Sequence, residues 1–169
     1  MKRAISFVLA MLCVIGLISS SVIAKTSVEQ DMAEQSCVIV DGRPLQVRVV
    51  KTFDDGSQLL EGMPRIIQKM RGNITAQKPV YHRRSDGIVL WSATLVGTFT
   101  YNGVTSFCSI ASCSTSINDS AWSEQSCSAY PSGNSAIGNV TMIRKILFIV
   151  LETVPITITL TCDKNGNLS

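Results

Sequence analysis

The stretch ITITLTC, residues 156–162, decides the fold class of this 169-residue chain. Apolar side chains alternate with threonines along it, which is the period of two expected for a strand with one buried face. β-branched residues occupy both faces, and they favour extended backbone. The segment therefore predicts a half-buried β-strand that ends at the turn sequence DKNG, residues 163–166.

The stretch LVGTFTY, residues 95–101, alternates in the same way and ends at Asn102-Gly103, a strong hairpin signal. From residue 88 onward, turn sequences separate roughly six or seven short strands, at intervals of about 8–15 residues. Connections this short favour antiparallel pairing. We predict an all-β chain in which residues 88–169 form an antiparallel, immunoglobulin-like β-sandwich.

Residues 25–87 are predicted to form a separate N-terminal extension. Residues 37–61 resemble three short strands joined by tight turns. Residues 64–71 are expected to form a short helix, with Pro64 in its first turn and a glycine after its end. Apolar side chains recur there at helical spacing: Met63, Ile66, Ile67 and Met70. Residues 73–87 are polar and basic, which is typical of a linker.

The run ILFIVL, residues 146–151, is the most continuous apolar segment outside the N-terminus. It is much shorter than the about 20 residues that a membrane-spanning helix needs. Arg144 and Lys145 precede it and Glu152 follows it, so a span would bury a charge. Two interpretations stay open, a fully buried strand and a hairpin apex.

Residues 1–24 have the features of a secretory signal peptide. Lys2 and Arg3 precede an apolar run that ends in small residues, with Ala24 at the expected cleavage site. An uncleaved anchor helix is the alternative. A lipoprotein anchor at Cys13 is disfavoured because the bulky Leu12 precedes it. We therefore expect a secreted, extracellular protein with no membrane span after cleavage.

Cleavage leaves a nearly neutral chain. The full sequence has 15 basic and 12 acidic residues, and both Lys2 and Arg3 leave with the signal peptide. Nothing in this charge balance favours nucleic-acid binding. No cofactor is expected either, since the sequence has neither a phosphate-binding glycine loop nor a paired set of metal-ligand motifs.

Five of the six cysteines lie beyond residue 24, so an exported chain has an odd number of thiols. Disulfides are favoured over a zinc site because Cys108 and Cys113 lack a second ligand pair at similar spacing. Fifteen pairings leave one cysteine free. The weakly preferred pairing joins Cys108 to Cys162 and Cys113 to Cys127, and it leaves Cys37 unpaired.

The candidate contact residues are few. His82, the only histidine, is followed by Arg83 and Arg84 in the predicted linker, where a solvated basic turn is the simplest interpretation and an anion-binding patch the functional one. Trp91 and Trp122 could stack on a sugar or anchor a partner, although packing in a β-sandwich core is favoured. We identify no catalytic residue and no metal ligand.

Part of the chain resembles a known group. The stretches GTFTYNG (97–103), CSIASC (108–113), SAW (120–122) and LTCDKNGNLS (160–169) resemble small secreted proteins of unknown function from Gram-positive anaerobic bacteria. The resemblance covers roughly residues 88–169. It implies an exported bacterial β domain, and it carries no activity and no site residues.

These observations lead us to expect a non-catalytic binding or cell-surface interaction module. A cell-surface protein or a glycan is the expected type of partner. A secreted enzyme or enzyme inhibitor is one alternative, and a self-assembling surface protein is another.

Overall fold

The structure is a computed structural model that describes residues 35–40 and 43–169. The predicted signal peptide, residues 1–24, lies outside the described residues. Every regular element in the described part of the chain is a β-strand. The strands are β1 (Gln35–Val40), β2 (Arg43–Thr52), β3 (Gln58–Gly62), β4 (Arg65–Met70), β5 (Asn73–Arg83), β6 (Val89–Tyr101), β7 (Ser106–Ile117), β8 (Trp122–Ser132), β9 (Ser135–Ile146) and β10 (Ile149–Thr161).

The strands form two antiparallel sheets. The first has the order β1-β2-β3-β5-β6-β7, with β4 also paired to β5, and the second has the order β10-β9-β8. The predicted all-β fold with antiparallel pairing is confirmed. The immunoglobulin-like part of the prediction is not confirmed. Apart from β4, which lies off the main path, neighbouring strands follow chain order, and the described strands show no Greek-key connection.

The first sheet includes both sides of the domain boundary predicted at residue 88. β5 pairs with β6 along almost its whole length, from Asn73 opposite Thr100 to Arg83 opposite Val89. The prediction of a linker over residues 73–87 is therefore wrong. Its polar composition does not indicate a strand, yet β5 is paired on both edges, by β6 on one side and by β3 and β4 on the other. The strand is therefore formed by pairing with its neighbours.

The predicted helix over residues 64–71 is also wrong. This segment contains β4, whose side chains are all exposed and whose residues pair with the first half of β5. β3 pairs with the second half of β5, so β3 and β4 lie end to end along one edge of that strand. Pro79, which has no backbone N–H to donate, occupies the gap between them. The first half of β5 has an edge that β3 does not cover. Backbone pairing with this edge outweighs the helical spacing of the apolar residues.

One core cluster joins the two sheets, and a smaller one, formed by Val47, Leu60 and Tyr81, lies within the first sheet. β6 directs Trp91, Ala93, Leu95 and Phe99 inward, as the alternating pattern of residues 95–101 predicts. β9 and β10 of the second sheet face them with buried side chains: Ala136, Val140, Met142, Val154, Ile158 and Leu160. The sheets approach closely at Gly138, where a Cβ atom would lie 3.1 Å from Leu95 Cδ1.

Candidate functional site

Four rings fill the core at one end of the two sheets: Phe53, His82, Trp91 and Trp122. We call this cluster the aromatic box. The ring centroid of His82 lies 5.0 Å from that of Phe53, 5.2 Å from that of Trp91 and 5.0 Å from that of Trp122. The two tryptophan rings lie 5.9 Å apart, and both are buried.

The aromatic box corrects the expectation for three candidate contact residues. Trp91, Trp122 and His82 are core residues, so none presents a ring to a surface ligand. The predicted solvated turn at His82 is wrong because β5 places this side chain between β3 and β6, opposite Leu59 and Trp91. Core packing, the favoured interpretation for the tryptophans, is what the structure shows.

His82 is held by a short polar chain. Its Nε2 atom lies 3.1 Å from the Oγ of Ser57, which is also buried. The Ser57 backbone N–H donates to Asp55 Oδ1 at 2.9 Å, and hydrogen bonding by Ser57 holds the pKa of that carboxyl below its usual value. The tautomer of the imidazole sets which atom donates in the bond between His82 Nε2 and the Ser57 hydroxyl. Within the described residues, Nδ1 of His82 has no hydrogen-bond partner.

This order of groups does not match a hydrolytic triad. In a triad the histidine lies between the nucleophile and the acid, and it takes the proton of the nucleophile. Here Ser57 lies between His82 and Asp55, and burial removes both the serine and the histidine from any substrate. Burial also lowers the pKa of His82 to about 4, against the charge of Asp55 and with a further contribution from Arg144. The chain therefore fixes a neutral imidazole within the core.

Arg83 and Arg84 are engaged with their neighbours. Arg83 Nη2 donates to Gln58 Oε1 at 2.5 Å. Arg84 donates from Nε and Nη2 to Asp86 Oδ2, at 2.9 and 2.5 Å, and this partner raises the pKa of the guanidinium. An anion-binding role for these arginines stays a prediction.

One cleft, with a volume of about 510 Å³, lies where β2 and β3 meet the C-terminal residues. Glu61 crosses it with ion pairs to Arg48 at 2.6 Å and to Lys78 at 3.0 Å. Burial favours a raised pKa for Glu61, but the hydrogen bonds and charges of Lys78 and Arg48 outweigh it and lower the pKa. The charged side chains that line the cleft are therefore paired with one another. In the described part of the chain, no three His, Cys, Asp or Glu side chains converge as metal ligands would.

Four cysteines lie in two places, and none of these four is in a disulfide in the structure. Cys113 and Cys127 are half-buried, with their Sγ atoms 2.7 Å apart. Cys108 and Cys162 are fully buried in the shared core. Cys37 lies in β1 opposite Gln46, and its side chain lies outside what the structure describes.

The most exposed apolar surface in the described residues is the β9–β10 hairpin. Residues 146–151, which we call the apolar tip, are six consecutive apolar side chains that are each at least half exposed. Exposure rises toward the apex, to 86% at Leu147 and 98% at Phe148. Of the two interpretations of this run, the hairpin apex is confirmed and the buried strand is wrong.

The apex is a strained two-residue loop. Ile146 pairs with Ile149, so only Leu147 and Phe148 connect the strands. Leu147 has a φ of 54°, the only positive φ at a non-glycine residue in the described part of the chain. A left-handed conformation costs an L-residue with a Cβ atom about 1–2 kcal/mol, and two-residue hairpin loops normally use Asn and Gly.

Charged residues surround the base of the tip. Arg144 and Lys145 lie at the end of β9, and Glu152 pairs in register with Arg144. Burial, and then the charge of Asp55, raise the pKa of Glu152, whereas Arg144 and Lys51 oppose the rise. A register shift between Val150 and Glu152 leaves Leu151 out of the pairing, so Val150 and Leu151 are both exposed.

Strand pairing places the aromatic box beneath this hairpin. Arg144 pairs with Trp122, the first residue of β8, and Trp122 is a member of the box. Sequence analysis identified the apolar run, yet it did not distinguish exposure from burial. The charges at both flanks were the available signal, since a fully buried strand rarely lies between unpaired charges.

Comparison of the chain with protein-family models, with curated proteins and with solved structures finds no match. Within the described residues, no helix has the length and apolar character needed to cross a membrane.

Proposed function

We propose that this exported protein is a non-catalytic binding module that attaches to the surface of a lipid bilayer through the apolar tip. The observation that carries the proposal is the exposure of all six apolar side chains in residues 146–151, with Phe148 at the apex 98% exposed. Contiguous apolar surface of this kind marks interaction sites in soluble proteins. The buried, oriented state of His82 supports a non-catalytic role.

The shape of the tip favours lipid over a protein groove as the partner. The two strands project with a two-residue loop between them, so the apolar surface is a narrow ridge made of the loop, Ile146 and the first three residues of β10, with Lys145 opposite Val150 at its base. Three residues of β10 extend about 10 Å. Interfacial segments bury their apolar faces to a depth of about 5–10 Å in a bilayer. Arg144 and Lys145 then lie at the level of the headgroups.

Insertion would stop at this depth. β10 is an edge strand of its sheet, and its outer backbone groups need water or another partner. Arg144 and Glu152 lie directly behind the apolar residues, and burying them in hydrocarbon is costly. Six apolar residues at about 0.5 kcal/mol each contribute about 3 kcal/mol, which favours reversible attachment.

The test is flotation of the protein with vesicles of phosphatidylcholine, alone and mixed with phosphatidylglycerol. The variant combines Leu147→Asn with Phe148→Gly, which keeps the loop length and supplies preferred hairpin residues. We expect the wild-type chain to float with both vesicles, more strongly with the anionic ones, and the variant to lose at least 10-fold in partitioning. Val104→Asn is the matched control, because Val104 is an exposed apolar loop residue at the opposite end of the sheets.

A second readout places the tip in the bilayer. Phe148→Trp adds one exposed indole to a chain whose Trp91 and Trp122 are buried. Brominated acyl chains should therefore quench the new indole and leave the native ones bright. Wild-type protein that stays with the aqueous phase would refute lipid attachment. If it instead forms dimers that the Leu147→Asn/Phe148→Gly variant does not form, the tip binds a second copy of the chain.

A further inference from the structure

Four cysteines of the described strands are thiols in the structure and fall into two pairs. The Sγ atoms of Cys113 and Cys127 lie 2.7 Å apart, and Cys108 and Cys162 are both fully buried in the same core. We propose that Cys113 and Cys127 form a disulfide in the exported protein, and that Cys108 and Cys162 form a second one. This inference is independent of the proposed lipid binding.

The first bond would join the two sheets at their shared edge. Cys113 lies on β7, opposite Leu95, and β7 is the last strand of the first sheet. Cys127 lies on β8, opposite Val140, and β8 is an edge of the second sheet. No backbone ladder connects β7 to β8. A covalent link at this position would hold together two layers that share no backbone ladder.

The second pair is held by the loop between β8 and β9. The backbone N–H of Cys108 donates to the carbonyl of Gly133 at 2.8 Å, and that of Cys162 donates to the carbonyl of Asn134 at 3.0 Å. The two cysteines therefore approach the same two-residue loop, and both side chains enter the shared core. Burial, the charge of Asp163 and the proximity of Cys108 all raise the pKa of the Cys162 thiol.

Each bond forms by oxidation of two thiols. The two sulfur atoms become joined, and two protons and two electrons leave. The electrons pass to a disulfide-bearing oxidant through a mixed disulfide, and the oxidant becomes a dithiol. Burial, reinforced by the neighbouring Cys127, raises the pKa of Cys113 in the folded chain. Because the reactive form is the thiolate, bond formation should occur before the two sheets close over these side chains.

The test uses the full chain, exported from a bacterial host and recovered without reductant. Reduction should add four hydrogen atoms to the intact mass, and alkylation without reduction should label one cysteine. Trypsin does not separate three of these cysteines, because the sequence has no Lys or Arg between Arg84 and Arg144. Cleavage after Glu124 separates Cys113 from Cys127, so unreduced fragments should remain linked.

Paired variants assign the two bonds. In the variant that combines Cys108→Ser with Cys162→Ser, the Cys113–Cys127 bond should persist. In the variant that combines Cys113→Ser with Cys127→Ser, only that bond should be lost, and the Cys108–Cys162 bond should remain. We expect each double variant to lower Tm by about 10 °C. If a double variant fails to fold, tandem mass spectrometry of the linked wild-type fragments, which breaks the backbone between Cys108 and Cys113, assigns the two bonds. A link from Cys37 to any of the four, or alkylation of all five without reduction, would overturn the proposal.

Discussion

The two ends of β9 have hairpin loops of the same length and opposite character. At its start, the loop Gly133-Asn134 has the glycine at a φ of 57°, and the Asn134 side chain donates to the carbonyl of Cys162 at 3.1 Å. At its end, the loop Leu147-Phe148 puts a leucine at almost the same φ and exposes both side chains. One loop follows the rules that stabilise a hairpin. The other departs from them, and departures of this kind are concentrated at functional sites.

The same contrast extends to what lies beneath each loop. Below the apolar tip the core contains the bulky rings of the aromatic box. Toward the other end, the sheets approach through Gly138 and Gly97, where an added Cβ would lie within 3.1 Å of a core side chain. The strained loop thus projects from the end of the molecule that has the largest buried side chains.

The largest effect should come from removing the support beneath the tip. Trp122→Ala deletes a buried ring that packs against His82 and Trp91, and it leaves a cavity at the start of β8. We expect the free energy of unfolding in urea to fall by about 3–5 kcal/mol. Tyr130→Ala is the matched control at the other end of β8, where the half-exposed ring should contribute about 0.5 kcal/mol or less. Equal losses for the two variants would contradict the structural role of the box.

The aromatic box also predicts a pH dependence. The pKa of His82 is about 4 in the folded chain, below its ordinary value of 6.5. The unfolded chain therefore binds the proton more tightly, so the contribution of His82 is complete above pH 6.5 and declines as pH falls to about 4. The difference corresponds to a loss of about 3 kcal/mol. The pKa of Asp55 is lowered from 3.8, so its contribution is lost at still lower pH.

Urea unfolding at pH 7, 5.5 and 4.5 measures this dependence. His82→Phe keeps an aromatic ring in the box and removes the titrating group. We expect the variant to show a nearly flat profile over this range, and the wild-type chain to lose stability steadily. Arg144 and Asp55 are the charged groups that act on His82, and Arg144 lowers its pKa. Arg144→Gln should therefore raise the pKa of His82 and narrow the pH range over which stability is lost. A wild-type profile as flat as that of His82→Phe would be inconsistent with a buried neutral imidazole.

Much of the fold follows from local patterns. The alternation of residues 95–101 and 156–162 correctly predicts which side chains enter the core, because each of these strands has one buried and one wetter face. Asn102-Gly103 is a turn in the structure, with Gly103 at a φ of 86°. Here each local preference agrees with the tertiary environment.

The errors arise where the environment differs from what a local pattern records. β5 has four consecutive buried residues, Pro79 to His82, so this half of the strand lacks the alternation that would identify it. β4 has helical spacing, yet it pairs with a free edge. The apolar tip has the composition of a core strand and no turn residue at its apex. Sequence alone therefore located the candidate site and could not determine its exposure.

The smallest expected effect separates the two roles of the tip. Leu147→Asn with Phe148→Gly replaces the apex with two residues that hairpin loops prefer, and it puts an asparagine at the positive φ of position 147. Folding stability should rise by about 1 kcal/mol, because asparagine adopts the left-handed conformation at lower cost than leucine. Urea unfolding measures the gain, with Val104→Asn as a control that should leave stability within about 0.5 kcal/mol. The same variant should lose vesicle binding, so gain of stability and loss of binding would coincide in one loop. A loss of stability would mean that the leucine and phenylalanine contribute to the fold itself, and the argument that their exposure serves binding would fail.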